Sequence, residues 1–572
     1  HKTDISTMSK HSHISQYASL LLQGTCTKLL LLFALFPVCL LANDNTKPWT
    51  YWYWMYGAVS KPAIQADLIS MKDVGLGGCY LMPIRGISDR PEYQGVANQL
   101  SPGFWEHIDY AFQQADSLGL DLGIHICDGF ALAGGPWITP EESMQQVVWT
   151  DTIVSGNYQG VILKRPQSYE GYYRDITTLA IPIRDITPYY NIKPLRITCG
   201  GGVAKDEKGT YRATEDGFID YDLGEPKTIR SLVIQPSGNN IQAQRLCVQA
   251  SADGKTYHKV KQLKPCRQGW QNTGYDFTYS IEPTTARYFR FEWTPRGTEP
   301  GSEDLDAAKW KPVLKLKNIT LSGEPKVSQW EGKSGQRWRI AEETTATELP
   351  NNLCVALNDI RTLDLKDNKI ISAASDRQQQ YWRILRFGHT STGQTNETAG
   401  GGKGLEVDKF SRQAVDKLFN NWYKRFLERP HGDVVKYLHM DSWECGMQNW
   451  GHRFAQEFRQ RRGYDLLPYM PLYAGIPIES AAKSEKVLRD IRQTVSDLVR
   501  DVFFLRFRDL AHQHGKQVSQ ESIAPTFVAD GMEHYKHADA TMGEYWLNSP
   551  THDKLNDMLD AISAAHIYGK QI

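Results

Sequence analysis

Residues 49–86, WTYWYWMYGAVSKPAIQADLISMKDVGLGGCYLMPIRG, read as strand, helix, strand. A connection this short between two strands, made through a helix, sets them side by side and parallel in one sheet. The aromatic run Trp49–Met55 favours a pleated strand. Ser60 is placed to cap the helix, Pro62 sits in its first turn, and Ile64, Leu68 and Met71 share one face. Gly75 stops it, and Gly77-Gly78 lead into the apolar second strand Cys79–Ile84. A chain that opens in this way points to a parallel barrel, in which strand C-termini form the mouth.

The alternation continues and then breaks. Ser101-Pro102 start a helix with Trp105, Ile108, Phe112 and Ala115 inward, Gly119 ends it, and Asp121–Asp128 is a third strand. From Met144 to Gln380 no amphipathic helix of normal length is predicted, only short β-rich runs between Gly, Pro, Asn and Asp turns. Strands Phe218–Leu223, Ile229–Ile234, Cys247–Ala250 and Ala286–Trp293, with turns at Gly224-Glu225-Pro226 and Asp253-Gly254, resemble a discoidin-like sandwich over residues 192–323. Such a sandwich either binds glycan through its end loops or is a structural insertion. Tyr381–Gly388 then resumes the barrel as a strand ending at His389. A helix follows, capped by Asp408, with Phe410, Ala414, Leu418, Trp422 and Phe426 in one stripe. Val434–Ser442, Lys516–Glu521 and Thr541–Trp546 are counted as strands five, six and seven, with a long helix from Ser484 to His514 before the sixth. A helix over Asp553–His566 precedes Ile567–Ile572, the start of an eighth strand. The expected fold is α/β: a (β/α)8 TIM-type barrel, truncated near strand 8. Residues 43–143 form its first part, 144–380 an inserted all-β region, and 381–572 an incomplete second part. The facing edges of strands one and seven would then be unpaired, and the 572 residues alone inactive.

Residues 1–42 read as a signal peptide and leader: Lys28 precedes the apolar run Leu29–Ala42, and polar Asn43-Asp44-Asn45 follow. The run is short for a membrane span. Export to the periplasm or cell surface is expected, with no stable span after cleavage. Lys plus Arg and Asp plus Glu are 65 each, so charge points to neither nucleic acid nor an anionic membrane. Of nine cysteines, Cys26 and Cys39 belong to the leader, and Cys79, Cys127 and Cys247 lie in apolar strands as buried thiols. No CxxC pair or Cys/His cluster suggests zinc.

Three glutamates fall at expected strand ends: Glu444 in MDSWECGMQNW, Glu521 in QVSQES and Glu544 in MGEYW, with Asp441 before the first. Carboxyls converging on one barrel mouth are what hydrolysis of a glycosidic bond requires. One protonates the leaving oxygen, and the other attacks or activates water. Adjacent aromatics would separate their pKa values by desolvation. Asp441, Asp128, His125 and His389 supply hydrogen bonds to sugar hydroxyls or oxygen ligands for a hard cation, although no EF-hand-type loop is present. Trp52, Trp54 and Trp137 are candidate stacking surfaces or ordinary core aromatics.

The stretches WYWMYGAVSKPAIQADLISMKDVGLGG, GGPWITPEESMQQVVW, RFGHTSTGQTN, GLEVDKFS, DSWECGMQNW, FAQEFRQRRGYDLLPYMP and TMGEYW occur in order from Trp52 almost to the end. Through them the chain resembles glycoside hydrolase family 106, the bacterial α-L-rhamnosidases that degrade pectin and related glycans. The resemblance implies an inverting exo-hydrolase, calcium-assisted, that removes terminal rhamnose from an oligosaccharide or polysaccharide. It also implies a barrel catalytic domain with β-rich accessory domains. By position Glu444 and Glu544 match glutamates of the family's active centre, and a further glutamate is expected on strand eight. Glu444 is assigned as base and Glu544 as acid or as stabiliser of the oxocarbenium-like state; the acid could instead be the strand-eight glutamate. Glu521, Asp441, His389, Asp128, His125, Trp54 and Trp137 are assigned to substrate binding. A glycosidase for another sugar and a glycan-binding protein without catalysis are the alternatives.

Overall fold

The computed structural model describes residues 47–571 apart from 86–94, 127–132, 191, 239, 267–274, 298–311, 373–379, 397, 399, 522–527, 546 and 548–554. The leader and Asp128 therefore lie outside the described residues.

Six strands form one parallel sheet: β1 (Trp49–Met55), β2 (Gly78–Ile84), β3 (Asp121–Ile124), β4 (Val435–Met440), β5 (Gln517–Glu521) and β6 (Ala540–Met542), hydrogen-bonded in that order. Helices Lys61–Asp73 and Pro102–Leu118 make the first two crossovers. Their caps follow the sequence signals: Ser60 accepts from the Ala63 amide at 3.4 Å and Ser101 from Phe104 at 3.1 Å. Gly119, at φ 62°, takes the left-handed turn that ends the second helix. After β6, helix Leu555–Tyr568 leads back to Gln571, whose carbonyl accepts from the Thr541 amide at 2.8 Å beside β6. The architecture is mixed α/β. Among the described residues the parallel ladder runs open from β1 to β6, so barrel closure is not part of it.

The strand count needs correction. Tyr381–Ser391 lies in a four-stranded antiparallel sheet, flanked by Gln145–Ser155 and Arg174–Ile183, with Arg361–Leu363 at the outer edge. The strands read as fifth, sixth and seventh are the fourth, fifth and sixth of the parallel sheet. An apolar run signals burial on both faces, but not the direction of its partners. Here Leu385 and Phe387 enter the main core, while Trp382 and Ile384 enter a smaller one with Tyr158 and Leu163.

The β-rich region also holds an eight-stranded antiparallel array built on two long strands, Gly217–Pro236 and Phe277–Trp293. The Gly224-Glu225-Pro226 turn lies inside the first of these, where the register slips between Asp222 and Lys227. Two further helix readings shift. Ser411, not Asp408, caps helix Arg412–Asn421, and the stripe breaks at Trp422, where ψ is −80°. The stretch after Ser480 is helical to Gln513 but contains a π-helical turn, Val499–Phe504.

Candidate active site

Alternation along β1 sends Trp52 and Trp54 to the helix side and Tyr51, Tyr53 and Met55 to the opposite, inner face. Strand register then stacks the inner face in tiers. Tyr51, Tyr80, Gly123, Tyr437 and Gln517 are aligned across the lowest tier. Above them come Tyr53, Met82, His125, His439, Ser519 and Ala540, and at the C-terminal rim Met55, Ile84, Asp441, Glu521 and Met542. This lining is aromatic and polar, where a purely structural barrel would be filled with Val, Ile and Leu. Gly123 makes room for it: a Cβ there would lie 2.3 Å from the Tyr80 ring.

His439 organises the middle tier. Its Nδ1 lies 2.9 Å from Ser519 Oγ, its Nε2 3.5 Å from Asp441 Oδ2, and its ring centroid 4.9 Å from that of Tyr80. His125 is fully buried, with Nδ1 3.1 Å from the His439 carbonyl oxygen. Asp441 Oδ1 accepts from the Ser442 amide at 2.8 Å. Burial works to raise the Asp441 carboxyl pKa, but the neighbouring His439, Glu521 and His125 outweigh it and hold the carboxyl well below its ordinary range. Burial, then Asp441 and Glu521, push the Tyr51 phenol well above its ordinary value, so it stays a neutral donor.

Beyond β4 the chain turns tightly. Ser442 Oγ donates to Glu444 Oε1 at 2.9 Å, Trp443 Nε1 donates to the Gly446 carbonyl at 2.7 Å, and Gly446 takes φ 82°. Behind this turn lies a wholly buried ion pair, Lys409 Nζ to Glu406 Oε2 at 2.5 Å, with Glu406 also accepting from the Ala133 amide at 3.0 Å. Lys409 Nζ sits 5.2 Å from the Trp443 ring centroid. Asp408, predicted as a cap, is buried here, accepts from the Phe410 amide and Gln448, and is pushed up to about 6 by burial. The GLEVDKFS segment is thus the support of the DSWECG turn. Glu444, half-buried, opens into a cavity of about 530 Å³ lined also by Gln146, Tyr169, Tyr275, Arg337, Gln394 and Asn449.

The structure brings Asp441, Glu521 and His125 together, with Glu444 on the adjoining turn. Glu544 lies two residues past β6, where Gly543 lets the Leu555–Tyr568 helix pack close: a Cβ on Gly543 would meet the Asp557 carbonyl at 2.8 Å. The sequence assignments of Trp54, Trp52 and His389 are corrected. Trp54 is 1% exposed and packs on Trp52 and Phe104 behind the sheet, so it offers no face to a sugar. Trp52 is buried with it, donating to Asp67 at 3.0 Å. Trp137 packs edge-on against buried Trp422, with its Nε1 buried. His389 is buried in the antiparallel sheet, Nδ1 3.0 Å from Gln145 Oε1, and does not meet the strand-end carboxyls. The sequence reading missed Tyr51, Tyr53, His439 and Ser519, although the two-residue spacing of His439 from Asp441 and of Ser519 from Glu521 marks the same face. It also missed Tyr275 and Arg337, which no local pattern could place. Among the described residues no group of three or more His, Cys, Asp or Glu is disposed to hold a metal ion.

A family model described as alpha-L-rhamnosidase, glycoside hydrolase family 106, matches residues 42–572. A curated protein of Formosa agariphila, described as "Putative beta-glucuronidase", is 26% identical over 537 residues, 92% of this chain and 34% of that protein. The solved structure of a rhamnosidase from Novosphingobium sp. PP1Y aligns at TM-score 0.73 and 24% identity, covering 92% of this chain and 51% of that one. The chain thus spans about a third of the one relative and half of the other.

Proposed function

The chain belongs to glycoside hydrolase family 106, the alpha-L-rhamnosidases, and from that premise we propose that it removes terminal α-L-rhamnose from pectin-type or other complex glycans with inversion at the anomeric carbon. One observation carries the reading: within a chain of this family, Glu444 opens from the C-terminal rim of the parallel sheet into a cavity of about 530 Å³, a volume in the range of ligand pockets. In the reaction Glu444 takes a proton from water as its oxygen bonds to the anomeric carbon. The glycosidic bond breaks at the same time, and the departing oxygen is protonated by Glu544 or by another acid, with Glu544 then stabilising the positive sugar ring. Inversion calls for about 6.5–9.5 Å between base and acid, room for the water. Tyr51, Asp441 and Glu521 present donors and acceptors for sugar hydroxyls on the inner face, with fully buried His439 behind Asp441. Export rests on the leader in residues 1–42, and no described helix is long and apolar enough to cross a membrane.

Time-resolved NMR of the full-length protein on an aryl α-L-rhamnoside tests the proposal. Release of β-L-rhamnose first, before mutarotation, is expected. Release of the α-anomer first, or no cleavage, would overturn it. The relative described as a beta-glucuronidase, together with Arg337 in the cavity, favours a second reading in which the cleaved sugar is a uronic acid. Faster turnover of an aryl β-glucuronide than of the rhamnoside would establish it.

A further inference from the structure

Arg337 shares the cavity with Glu444. Its guanidinium carbon lies 3.4 Å from the Tyr275 ring centroid, so one face is covered and the group is held flat against the ring. Among the described residues its guanidinium makes one hydrogen bond, from Nη1 to the neighbouring Gln336 carbonyl at 2.7 Å, and Nε makes none. Among the described residues no Asp or Glu comes within 4 Å of it, whereas Arg383, Arg386, Arg429 and Arg506 are each paired with carboxylates.

The acids that influence Arg337 do little to neutralise it. Glu331 is buried and directs Oε1 to the Thr278 amide and hydroxyl, and burial raises its carboxyl pKa, as it does for Asp276. A fixed, unneutralised guanidinium in a cavity is costly unless something anionic arrives there. Its planar fork suits a carboxylate, which can accept two parallel hydrogen bonds from it.

We infer that Arg337, held by Tyr275, is an anion subsite of the Glu444 cavity and takes the carboxylate of a uronic acid in the glycan that bears the terminal rhamnose. This rests on the rhamnosidase reading for the identity of the cleaved sugar, but the subsite itself is a matter of binding. It makes the substrate class acidic and gives the β-rich region, which supplies both Tyr275 and Arg337, a part in choosing it.

The test compares binding of methyl α-D-galacturonoside and methyl β-D-glucuronoside with that of the corresponding galactoside and glucoside, by calorimetry on the full-length protein. At least one uronoside should bind tenfold or more tighter than its neutral counterpart, and Arg337→Gln should abolish that ratio. If Arg337→Gln does not fold, Tyr275→Ala, which removes an exposed platform, should reduce the ratio instead. No preference for either uronoside, an unchanged ratio in a folded variant, or tighter binding of galactose 6-sulfate than of both uronosides would overturn the inference. Turnover of a neutral aryl α-L-rhamnoside by the same preparation tests the rhamnosidase reading separately, because that substrate carries no anion.

Discussion

Asp441 and Glu521 stand one residue beyond the Met440–Gln520 pair on neighbouring parallel strands, and Glu521 is one of the groups that hold the Asp441 carboxyl below its ordinary range. His439 is another. Asp441→Asn should therefore weaken binding of a rhamnoside while also removing the negative charge beside Glu521. Raised KM together with a shifted acid limb of the pH–rate profile is the expected result. A variant with wild-type KM and profile would remove the pair from the site.

Glu444→Gln should lower the rhamnoside rate by about 100- to 10,000-fold, the range for loss of a general base. Because Glu444 is half-buried and lies on a turn outside the core, where the Ser442 hydroxyl donates to it, the melting temperature should hardly move. Steady-state kinetics and calorimetry on one preparation check both parts. Glu544→Gln, if that residue is the acid, should spare substrates whose leaving group departs without a proton and slow the others.

Stability should fall on acidification between pH 6.5 and 4. Burial, then Arg174 and His452, lower His389 to about 4, and burial, then His537, lower fully buried His534 to about 3. The unfolded chain binds these protons near pH 6.5 and the folded chain does not, so stability is complete above 6.5 and is lost as pH drops through the window. At pH 5 each contributes a loss of about 2 kcal/mol. Guanidinium unfolding at pH 7.5 and 5 should show the difference, and His534→Phe should shrink it. Equal stability at the two pH values would contradict the assignment.

Glu406→Gln should cost about 3–5 kcal/mol, because it strands the Lys409 ammonium in a site with no access to water. The pair replaced together, E406M/K409M, should recover much of that loss. Denaturant midpoints for the single and double variants decide it, and a double variant no better than the single would show that the charges themselves are required.

Trp54→Ala should destabilise by about 3–5 kcal/mol through the cavity it leaves. Fluorescence-monitored unfolding checks this, with KM for a rhamnoside as the companion measurement. A variant of normal stability with impaired KM would restore Trp54 to the sugar site.

The parts of the fold that the chain announces locally were legible: strands β1 and β2, the Ser60 and Ser101 caps and the Gly119 stop all rest on neighbouring residues. The face of Trp54 was not, because WTYWYWM places aromatics on both sides of the strand and alternation alone cannot say which side meets the helices. Tyr381–Ser391 failed for a related reason, since burial on both faces suits a parallel barrel strand and a central antiparallel strand equally. Within the site, Asp441 and Glu521 were found because acids at strand ends are rare and conspicuous. His439 lay two residues before Asp441 and could have been read from the same periodicity.

The cavity walls come from widely separated parts of the chain: Gln146 and Tyr169 from the region after β3, Tyr275 and Arg337 from farther along, and Glu444 from the turn after β4. Under the roles proposed above, bond cleavage and glycan choice fall on different segments. Changes at Tyr169, Tyr275 or Arg337 can redirect the protein to other polysaccharides while leaving Glu444 and its support, Glu406 and Lys409, intact. A lineage can diversify its diet by this route without reinventing its chemistry, and an engineer can screen libraries at those three wall positions with the carboxylates held constant.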